Sequence, residues 1–245
     1  MQKRGRFVVV DGLDGVGKGV ILQTLIEEAR KTGKRIFDVH TFWKDFNHHP
    51  SPIDIIGQFD IAVTSEPTFI GVGAYIRSEL IAKNNRDYHP LAIAEAYALD
   101  RRILYQQLIL PLLSAGVDVF QSRSFSTSIT YQVLDAQERG VTLSMEDVLS
   151  IPGNGFCLQH PMNYLIVPTI SDAEEVMRRL AARDKDDNCV FENAPFQFKL
   201  KERYESPEFQ ALFQRLGVNV VYLNAGISIE SSQQQTREFY NHHLK

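Results

Sequence analysis

Three glycines and a lysine near the N-terminus have the spacing of a loop that binds phosphate groups. The apolar run Phe7–Val10 leads into Asp11-Gly12-Leu13-Asp14-Gly15-Val16-Gly17-Lys18, which contains the pattern G-x-x-x-x-G-K, and a helical pattern follows it. Glycine permits positive φ angles and a close backbone approach, so successive N–H groups of the loop can face an anion. Lys18 adds a charge that can reach the terminal phosphates of a triphosphate. We predict that the loop binds a triphosphate, the alternative being a glycine-rich turn without a ligand; the predicted contacts are Gly12, Gly15, Val16, Gly17, Lys18, Gly19 and Val20.

The residue after Lys18 departs from the usual pattern of such loops. A serine or threonine normally stands there, and its hydroxyl binds Mg²⁺. Gly19 has no side chain and Val20 has an apolar one. The sequence therefore predicts phosphoryl chemistry and leaves open which residues hold the metal.

Two further polar segments follow predicted strands. Ser65-Glu66-Pro67-Thr68 and Ser122-Arg123-Ser124 would leave the carboxyl ends of their strands, where ligands bind in open α/β sheets. Glu66 there can orient a Mg²⁺-bound water, or it can belong to an ordinary strand-to-loop turn. Arg123 can hold an acceptor phosphate through two hydrogen bonds, or it can be a solvated residue at a strand end.

A helical pattern over Pro90–Ala115 places an aromatic ring and a guanidinium on one face. Tyr97 and Arg101 are four residues apart, and Leu104 follows three residues later. Such a face can stack on a flat base and hydrogen-bond its edge. The alternative is a tyrosine in the core and an ordinary salt bridge at Arg101.

A basic stretch begins at Met177 and runs into a polar segment that ends at Asn188. Arg178 and Arg183 lie in it, and a mobile lid of this composition can close over phosphates. A solvated helix end, where arginine is favoured, is the alternative.

Composition limits the classes of protein that the chain can belong to. The 245 residues suit one large α/β domain or two small ones, and a hydrophobic fraction of 44% is enough for a core. The net charge of −4 gives no indication of a nucleic-acid partner. Cys157 and Cys189 have no metal or redox spacing, which favours a reducing compartment. With no signal-peptide pattern and no long apolar run, we expect a cytoplasmic protein with no membrane contact.

Short β-branched runs alternate with longer helical patterns, which predicts a parallel sheet covered by helices. The strand candidates are Phe7–Val10, Arg35–Val39, Ile61–Thr64, Val117–Gln121, Tyr164–Val167 and Val218–Leu223. The helix candidates are Lys18–Lys31, Gly73–Lys83, Pro90–Ala115, Ser126–Glu138, Ser144–Ser150, Ser171–Arg183, Ala194–Leu216 and Ile229–His242. Pro111 is expected to kink the end of its helix. A segment rich in aromatics, histidine and proline, about 40–60, is predicted to be an insertion. A partly packed surface loop or a partner contact is favoured there over metal binding by His48 and His49.

These motifs, taken in order along nearly the whole chain, resemble those of the thymidylate kinases. The phosphate loop includes the family's loop acid at Asp14, and Thr64-Ser65-Glu66-Pro67-Thr68 is similar to T-R-E-P-G. Tyr97-Ala98-Leu99-Asp100-Arg101 is similar to the helix that carries the base-binding residues, and Ser122-Arg123-Ser124 stands at the place of D-R-Y. The resemblance implies a single domain over residues 1–245. It implies a three-layer P-loop fold with a five-stranded parallel sheet flanked by helices, and a lid over about 178–192.

The resemblance also implies an activity and a role for each site residue. The reaction would be transfer of a phosphoryl group from ATP, with Mg²⁺, to a deoxynucleoside monophosphate, dTMP being the expected acceptor, in a homodimer. Asp14 would accept a hydrogen bond from the sugar 3′-hydroxyl, Tyr97 would stack on thymine and Arg101 would bind its edge. Arg123 would hold the acceptor phosphate, with Glu66 and Tyr131 nearby. Gly15 leaves the loop without a basic residue, which fits the bacterial-like subtype whose catalytic arginine lies in the lid, here Arg178 or Arg183 beside Lys18 of the loop.

Pro161-Met162-Asn163 stands where the family usually has P-D-L, and three further departures fall on metal or phosphate contacts. Gly19 replaces a hydroxyl, Ser65 replaces the arginine of T-R-E-P and Ser122 replaces the aspartate of D-R-Y. Two alternatives therefore stay open: a nucleotide-binding protein with weak or absent turnover, and a deoxynucleoside kinase, whose family pattern E-R-S is similar to Ser122-Arg123-Ser124. In the second, Glu66 would be the substitute base.

Overall fold

Short strands of mostly apolar residues form one parallel sheet, seen in a computed structural model that describes residues 3–171, 175, 178–179 and 194–245. The strands run in the spatial order β2-β3-β4-β1-β5-β6. They are β1 (Phe7–Val10), β2 (Ile36–Asp38), β3 (Ile61–Ser65), β4 (Asp118–Ser122), β5 (Tyr164–Thr169) and β6 (Asn219–Asn224). All of their pairings are parallel, as the alternation of strand and helix patterns predicts.

The sheet formed by these residues has six strands, so the expectation of five is wrong. The sixth, β6, pairs with β5 along its whole length, from Tyr164 opposite Asn219 to Thr169 opposite Asn224. Its inclusion is favourable because Leu223 is buried in the same apolar cluster as Phe239. A strand that gains both hydrogen bonds and an apolar contact extends the sheet.

Helices cover both faces of the sheet. Along β1, Phe7 and Val9 point into one apolar cluster, and Val8 and Val10 point into the other, because successive side chains of a strand alternate between faces. The helices are α1 (Lys18–Lys31), α2 (Val39–Asp45), α3 (Gly71–Tyr75), α4 (Pro90–Leu104), α5 (Leu110–Ser114), α6 (Phe125–Thr127), α7 (Val133–Glu138), α8 (Met145–Ser150), α9 (Pro152–Leu158), α10 (Ala194–Tyr204), α11 (Pro207–Arg215) and α12 (Ile229–His243). The α/β class and the flanking helices are thus confirmed.

Two long helix predictions are modified by proline. Between α4 and α5 the chain makes a π-helical turn, Tyr105–Ile109, just before Pro111, which has no N–H to continue the ladder. The prediction of one helix over Ala194–Leu216 is wrong. It is divided at Ser206, whose side chain caps α11 by accepting from the N–H of Phe209, and Pro207 occupies the first helical position.

The segment about 40–60 contains α2 and a short 3₁₀ turn, Pro52–Asp54. Trp43 and Ile55 of this segment are buried in the core cluster that includes Phe7 and Val9. Among the parts of the chain that are described, no three histidine, cysteine or acidic side chains come together as metal ligands. No helix of those parts is both long enough and apolar enough to cross a bilayer. The predicted helix Ser171–Arg183 and the lid, about 178–192, lie almost entirely outside the described residues.

Candidate active site

The loop between β1 and α1 has the backbone form that its glycines predict. Gly12, Gly15 and Gly17 have φ angles of 139°, 79° and 102°, in the region that favours glycine. A Cβ atom added at Gly17 or Gly19 would meet nothing within 4 Å. The space beside these two glycines is therefore open to a ligand.

Asp14 lies at the centre of a charged cluster that joins this loop to the end of β4. Its Oδ1 is 3.4 Å from Nζ of Lys18 and accepts a hydrogen bond from Nη2 of Arg123, and its Oδ2 accepts from the hydroxyl of Tyr131 at 3.0 Å. Burial alone would raise the pKa of Asp14, but Arg123 and Lys18 outweigh it and hold the pKa well below its usual range. Asp14 is therefore a carboxylate at neutral pH. The structure brings together four of the predicted site residues.

A glutamine that the sequence reasoning missed completes this cluster. Gln197 of α10 accepts from the backbone N–H of Asp14 at 3.0 Å, and its Nε2 lies 3.5 Å from Oδ2. On the same helix, the hydroxyl of Tyr204 donates to Asp11 at 3.2 Å. A lone glutamine on a helix carries no pattern that points to a loop far away in sequence, so only the tertiary structure identifies it.

Arg123 has two features that are uncommon for a structural arginine. Its φ angle is 68°, a left-handed conformation that residues other than glycine rarely adopt. Its Nη1 is buried, donates no hydrogen bond to any residue that the structure describes, and lies 3.9 Å from Asp11. A buried cationic N–H without an acceptor suits an anionic oxygen from a ligand.

Glu66 and Arg101 form a second, closed cluster. Nε of Arg101 donates to Oε2 of Glu66 at 2.6 Å, and Nη2 donates to Oγ of Ser128 at 2.9 Å. The amide oxygen of Asn154 accepts from Nη1, and Gln121 donates to the other oxygen of Glu66 at 2.9 Å. Burial raises the pKa of Glu66 to about 7, although Arg101 opposes this rise. Both groups of the pair are thus occupied by the protein itself.

The predicted base-binding face is buried in this arrangement. Arg101 is fully enclosed, and Tyr97 packs with Ile76 and Ile93 in a small apolar cluster. Both oxygens of Glu66 already accept hydrogen bonds. The assignments of base binding to Tyr97 and Arg101, and of a metal-bound water to Glu66, therefore stay predictions.

Asn154 was also missed, although the sequence carries a signal beside it. A Cβ atom at Gly153 would lie 2.1 Å from the carbonyl oxygen of Ala98, so only glycine allows α9 to approach α4 this closely. The glycine pair in Pro152-Gly153-Asn154-Gly155 marks such an approach. That approach places the amide of Asn154 against Arg101.

The predicted lid residues are only partly described. Arg178 is largely exposed and forms an ion pair with Glu175 at 2.9 Å. Arg183 lies outside the described residues. The catalytic roles of both stay predictions.

The chain's own side chains do not assemble a site for Mg²⁺ in the described regions. The side chains of Gly19 and Val20 offer no oxygen, and the carboxylate of Asp11 already accepts from Ser126 and Thr127. Mg²⁺ commonly enters such sites with ligands from phosphates and water. A Mg²⁺ ion at this site would therefore take its ligands from phosphate oxygens and water.

The comparison with protein families identifies the chain. The thymidylate kinase family profile matches residues 55–236, which include Glu66, Tyr97, Arg101 and Arg123. The chain belongs to the thymidylate kinase family. The profile match begins after the phosphate loop. The similarity of that loop to the family is therefore supported by the pairwise alignment that covers 96% of the chain.

Individual thymidylate kinases are similar at low identity. A thymidylate kinase of an Exiguobacterium species is 25% identical over 238 residues, which cover 96% of this chain and 93% of the relative. A probable thymidylate kinase of Caldivirga maquilingensis is 26% identical over 157 residues, 64% of each chain. A thymidylate kinase of Bacillus velezensis is 25% identical over 203 residues, 82% of this chain and 81% of the relative. Membership in this family indicates a kinase that acts on nucleotides.

Proposed function

We propose that the protein transfers the terminal phosphoryl group of ATP to a deoxynucleoside monophosphate, and that this acceptor is dTMP, which becomes dTDP. Family membership supports the reaction class. The observation that carries the proposal is Arg123, whose Nη1 is buried without a hydrogen-bond acceptor among the described residues. This cation stands beside the phosphate loop, where a second phosphate has to meet the first.

The residues divide between the two substrates. The loop from Gly12 to Val20, with Lys18, binds the triphosphate, and Arg123 holds the acceptor phosphate. Asp14 receives the sugar hydroxyl while keeping Lys18 and Arg123 in place, and Tyr131 positions Asp14. Tyr97 and Arg101 would meet the base after a rearrangement of the Glu66 pair, and Arg178 or Arg183 would reach the transferring group from the lid.

No general base is needed for this reaction. The second pKa of a phosphate monoester is about 6, so the acceptor is largely ionised at neutral pH. Catalysis then consists of aligning two phosphates, screening their charge and excluding water. The absence of a carboxylate at Ser122 consequently removes a charge but no proton acceptor.

A nucleotide-binding protein with little turnover is the second candidate. Lys18 and Arg123 both contact Asp14, so part of their charge is already neutralised. Gly19, Ser65 and Ser122 lack the polar groups that the family pattern has at these positions. Each charge-assisted contact that is lost is worth about 1.5–3 kcal/mol, or about one to two decades in rate.

A coupled assay with ATP, Mg²⁺ and separate nucleoside monophosphates and nucleosides tests the proposal. We expect diphosphate to form with dTMP faster than with the other acceptors. Phosphorylation of nucleosides instead would show a deoxynucleoside kinase. Thermal stabilisation by dTMP and ATP without product would show the second candidate.

A cytoplasmic location and a homodimer are part of the same proposal. Light scattering coupled to size-exclusion chromatography measures the oligomeric state directly. A monomeric mass at micromolar concentration would contradict it.

A further inference from the structure

His40 connects a carboxylate to a hydroxyl at the carboxyl edge of the sheet. Its Nδ1 lies 2.7 Å from Oδ1 of Asp38, and its Nε2 lies 2.9 Å from Oγ of Ser65. The ring is held edge-on against Trp43 and Phe69, with centroids 5.6 and 5.8 Å away. The contacts with Asp38, Ser65 and the two aromatic rings therefore fix the orientation of the imidazole.

The order carboxylate, imidazole, hydroxyl occurs in enzymes that transfer acyl groups, but Ser65 is poorly suited to that chemistry. It is buried, and the N–H of Glu66, the amide that follows it, already donates to the carbonyl oxygen of Ser122 at 2.9 Å. An acyl-transfer site needs free N–H donors for the oxyanion. The cluster therefore fits the binding of an anion better than nucleophilic attack.

His40 differs from the nearby arginines in which groups surround it. Arg123 faces Asp14 and Arg101 faces Glu66, so each of these guanidiniums points at an internal carboxylate. In His40 the carboxylate lies behind the ring at Nδ1, and the opposite nitrogen faces Ser65. The His40 side chain is 28% exposed, so a ligand can reach it.

The carboxylate of Asp38 decides which ring nitrogen of His40 faces outward. Because a carboxylate accepts hydrogen bonds, Nδ1 is the donor toward Asp38, and Nε2 is the nitrogen that faces Ser65. A phosphate oxygen beside Nε2 would accept a hydrogen bond from the imidazolium form of the ring. The hydroxyl of Ser65 can then turn to donate a second hydrogen bond to the same anion.

His40 lies on the side of the candidate active site that is farther from the phosphate loop. Ser65 pairs with Ser122 across β3 and β4, and Ser122 pairs with Val10 of β1. Neighbouring strands lie about 5 Å apart, which places Ser65 roughly 10 Å from the strand that leads into the phosphate loop. Arg123 directly follows Ser122 at the end of β4, which lies between β3 and β1.

We propose that His40, oriented by Asp38 and assisted by Ser65, binds the phosphate of the acceptor nucleotide. The inference rests on the proposed function, because it requires a monophosphate acceptor. It assigns a phosphate contact to a histidine in the first turn of α2, beside the hydroxyl of Ser65.

Calorimetric titration of dTMP and of thymidine, each without ATP, tests this. The two ligands differ only in the phosphate, so a phosphate contact must change dTMP binding alone. We expect His40→Ala to weaken dTMP about 10- to 100-fold, the equivalent of one charge-assisted hydrogen bond, and to leave thymidine within about twofold by the same reasoning. His40→Arg should retain most of the dTMP affinity, and His40→Gln should retain part of it.

His48→Ala is the matched control, since His48 is an exposed histidine of the same segment, and it should bind both ligands as the wild type does. Equal affinity of His40→Ala and wild type for dTMP would overturn the inference. So would an equal loss of dTMP and thymidine, which would indicate a structural role. A wild-type protein that binds neither ligand would instead contradict the proposed function itself.

Discussion

Arg101 and Glu66 form an ion pair that is closed to solvent, with side-chain exposures of 0% and 2% and an Nε–Oε2 distance of 2.6 Å. The pair joins α4 to the end of β3. Removing one partner of such a pair leaves an uncompensated charge in a medium of low polarity. This relationship makes Arg101 a structural residue as well as a candidate for base binding.

Arg101→Met should lower the free energy of unfolding by about 3–5 kcal/mol, because Glu66 would then be buried without its cation. The measurement is urea denaturation at pH 8, where Glu66, whose pKa is about 7 beside Arg101, is ionised in the native protein. Loss of Arg101 raises that pKa further, so the cost includes the uptake of a proton by Glu66.

The double variant Arg101→Met with Glu66→Gln separates the two roles of Arg101. It should recover part of the lost stability, since the buried charge is gone. If it also recovers the affinity for dTMP, Arg101 does not bind the base.

Lys18→Ala should abolish ATP-dependent turnover and leave the fold intact. Nζ of Lys18 donates to the carbonyl oxygens of Gly12 and Leu13 and lies 3.4 Å from Oδ1 of Asp14. Arg123 still pairs with Asp14 in the variant, so we expect the protein to fold. The coupled assay and circular dichroism measure the two effects. Unchanged turnover would refute the assignment of the phosphate loop.

Gly19→Ser should raise the rate with Mg²⁺, because it restores a hydroxyl where such loops hold the metal. The structure has room for the side chain, since a Cβ atom at position 19 would meet nothing within 4 Å. We expect a gain of about tenfold, the lower end of the value of one charge-assisted contact.

Gly19→Ala is the control for that experiment, as it adds the Cβ atom without the hydroxyl. It should show no gain at any Mg²⁺ concentration. The same gain in both variants would mean that the helix start, and not metal binding, had improved.

His49 should make the protein less stable as the pH falls from about 6.5 to about 4. Burial, with a smaller effect of His48, lowers the pKa of His49 to about 4, and the unfolded chain keeps the ordinary value of about 6.5. Between these values the unfolded state binds the proton first, so stability is full above pH 6.5 and is lost on acidification.

His49→Phe keeps the ring beside Trp43, which lies 5.8 Å away between centroids, and removes the titration. The difference in unfolding free energy between wild type and variant should change by on the order of 2 kcal/mol between pH 7 and pH 4. Parallel pH curves for the two proteins would exclude His49 as the source.

The sequence alone determined the first strand, the first helix and the form of the glycine-rich loop between them. Phe7–Val10 and Lys18–Lys31 have the predicted bounds, because an apolar β-branched run specifies a strand locally and an amphipathic pattern specifies a helix locally. The spacing of Gly12, Gly17 and Lys18 likewise predicts a particular loop. All of these are interactions between residues close together in the chain.

Only the tertiary structure decided how the distant polar residues pair. Gln197 lies against Asp14, and His40 lies between Asp38 and Ser65, although no pattern along the chain relates them. Hydrogen bonds between side chains depend on the packing of whole elements, to within a fraction of an ångström, and composition and periodicity do not contain that information. The sequence therefore predicts which chemistry the chain can carry, and packing decides which side chains meet to carry it.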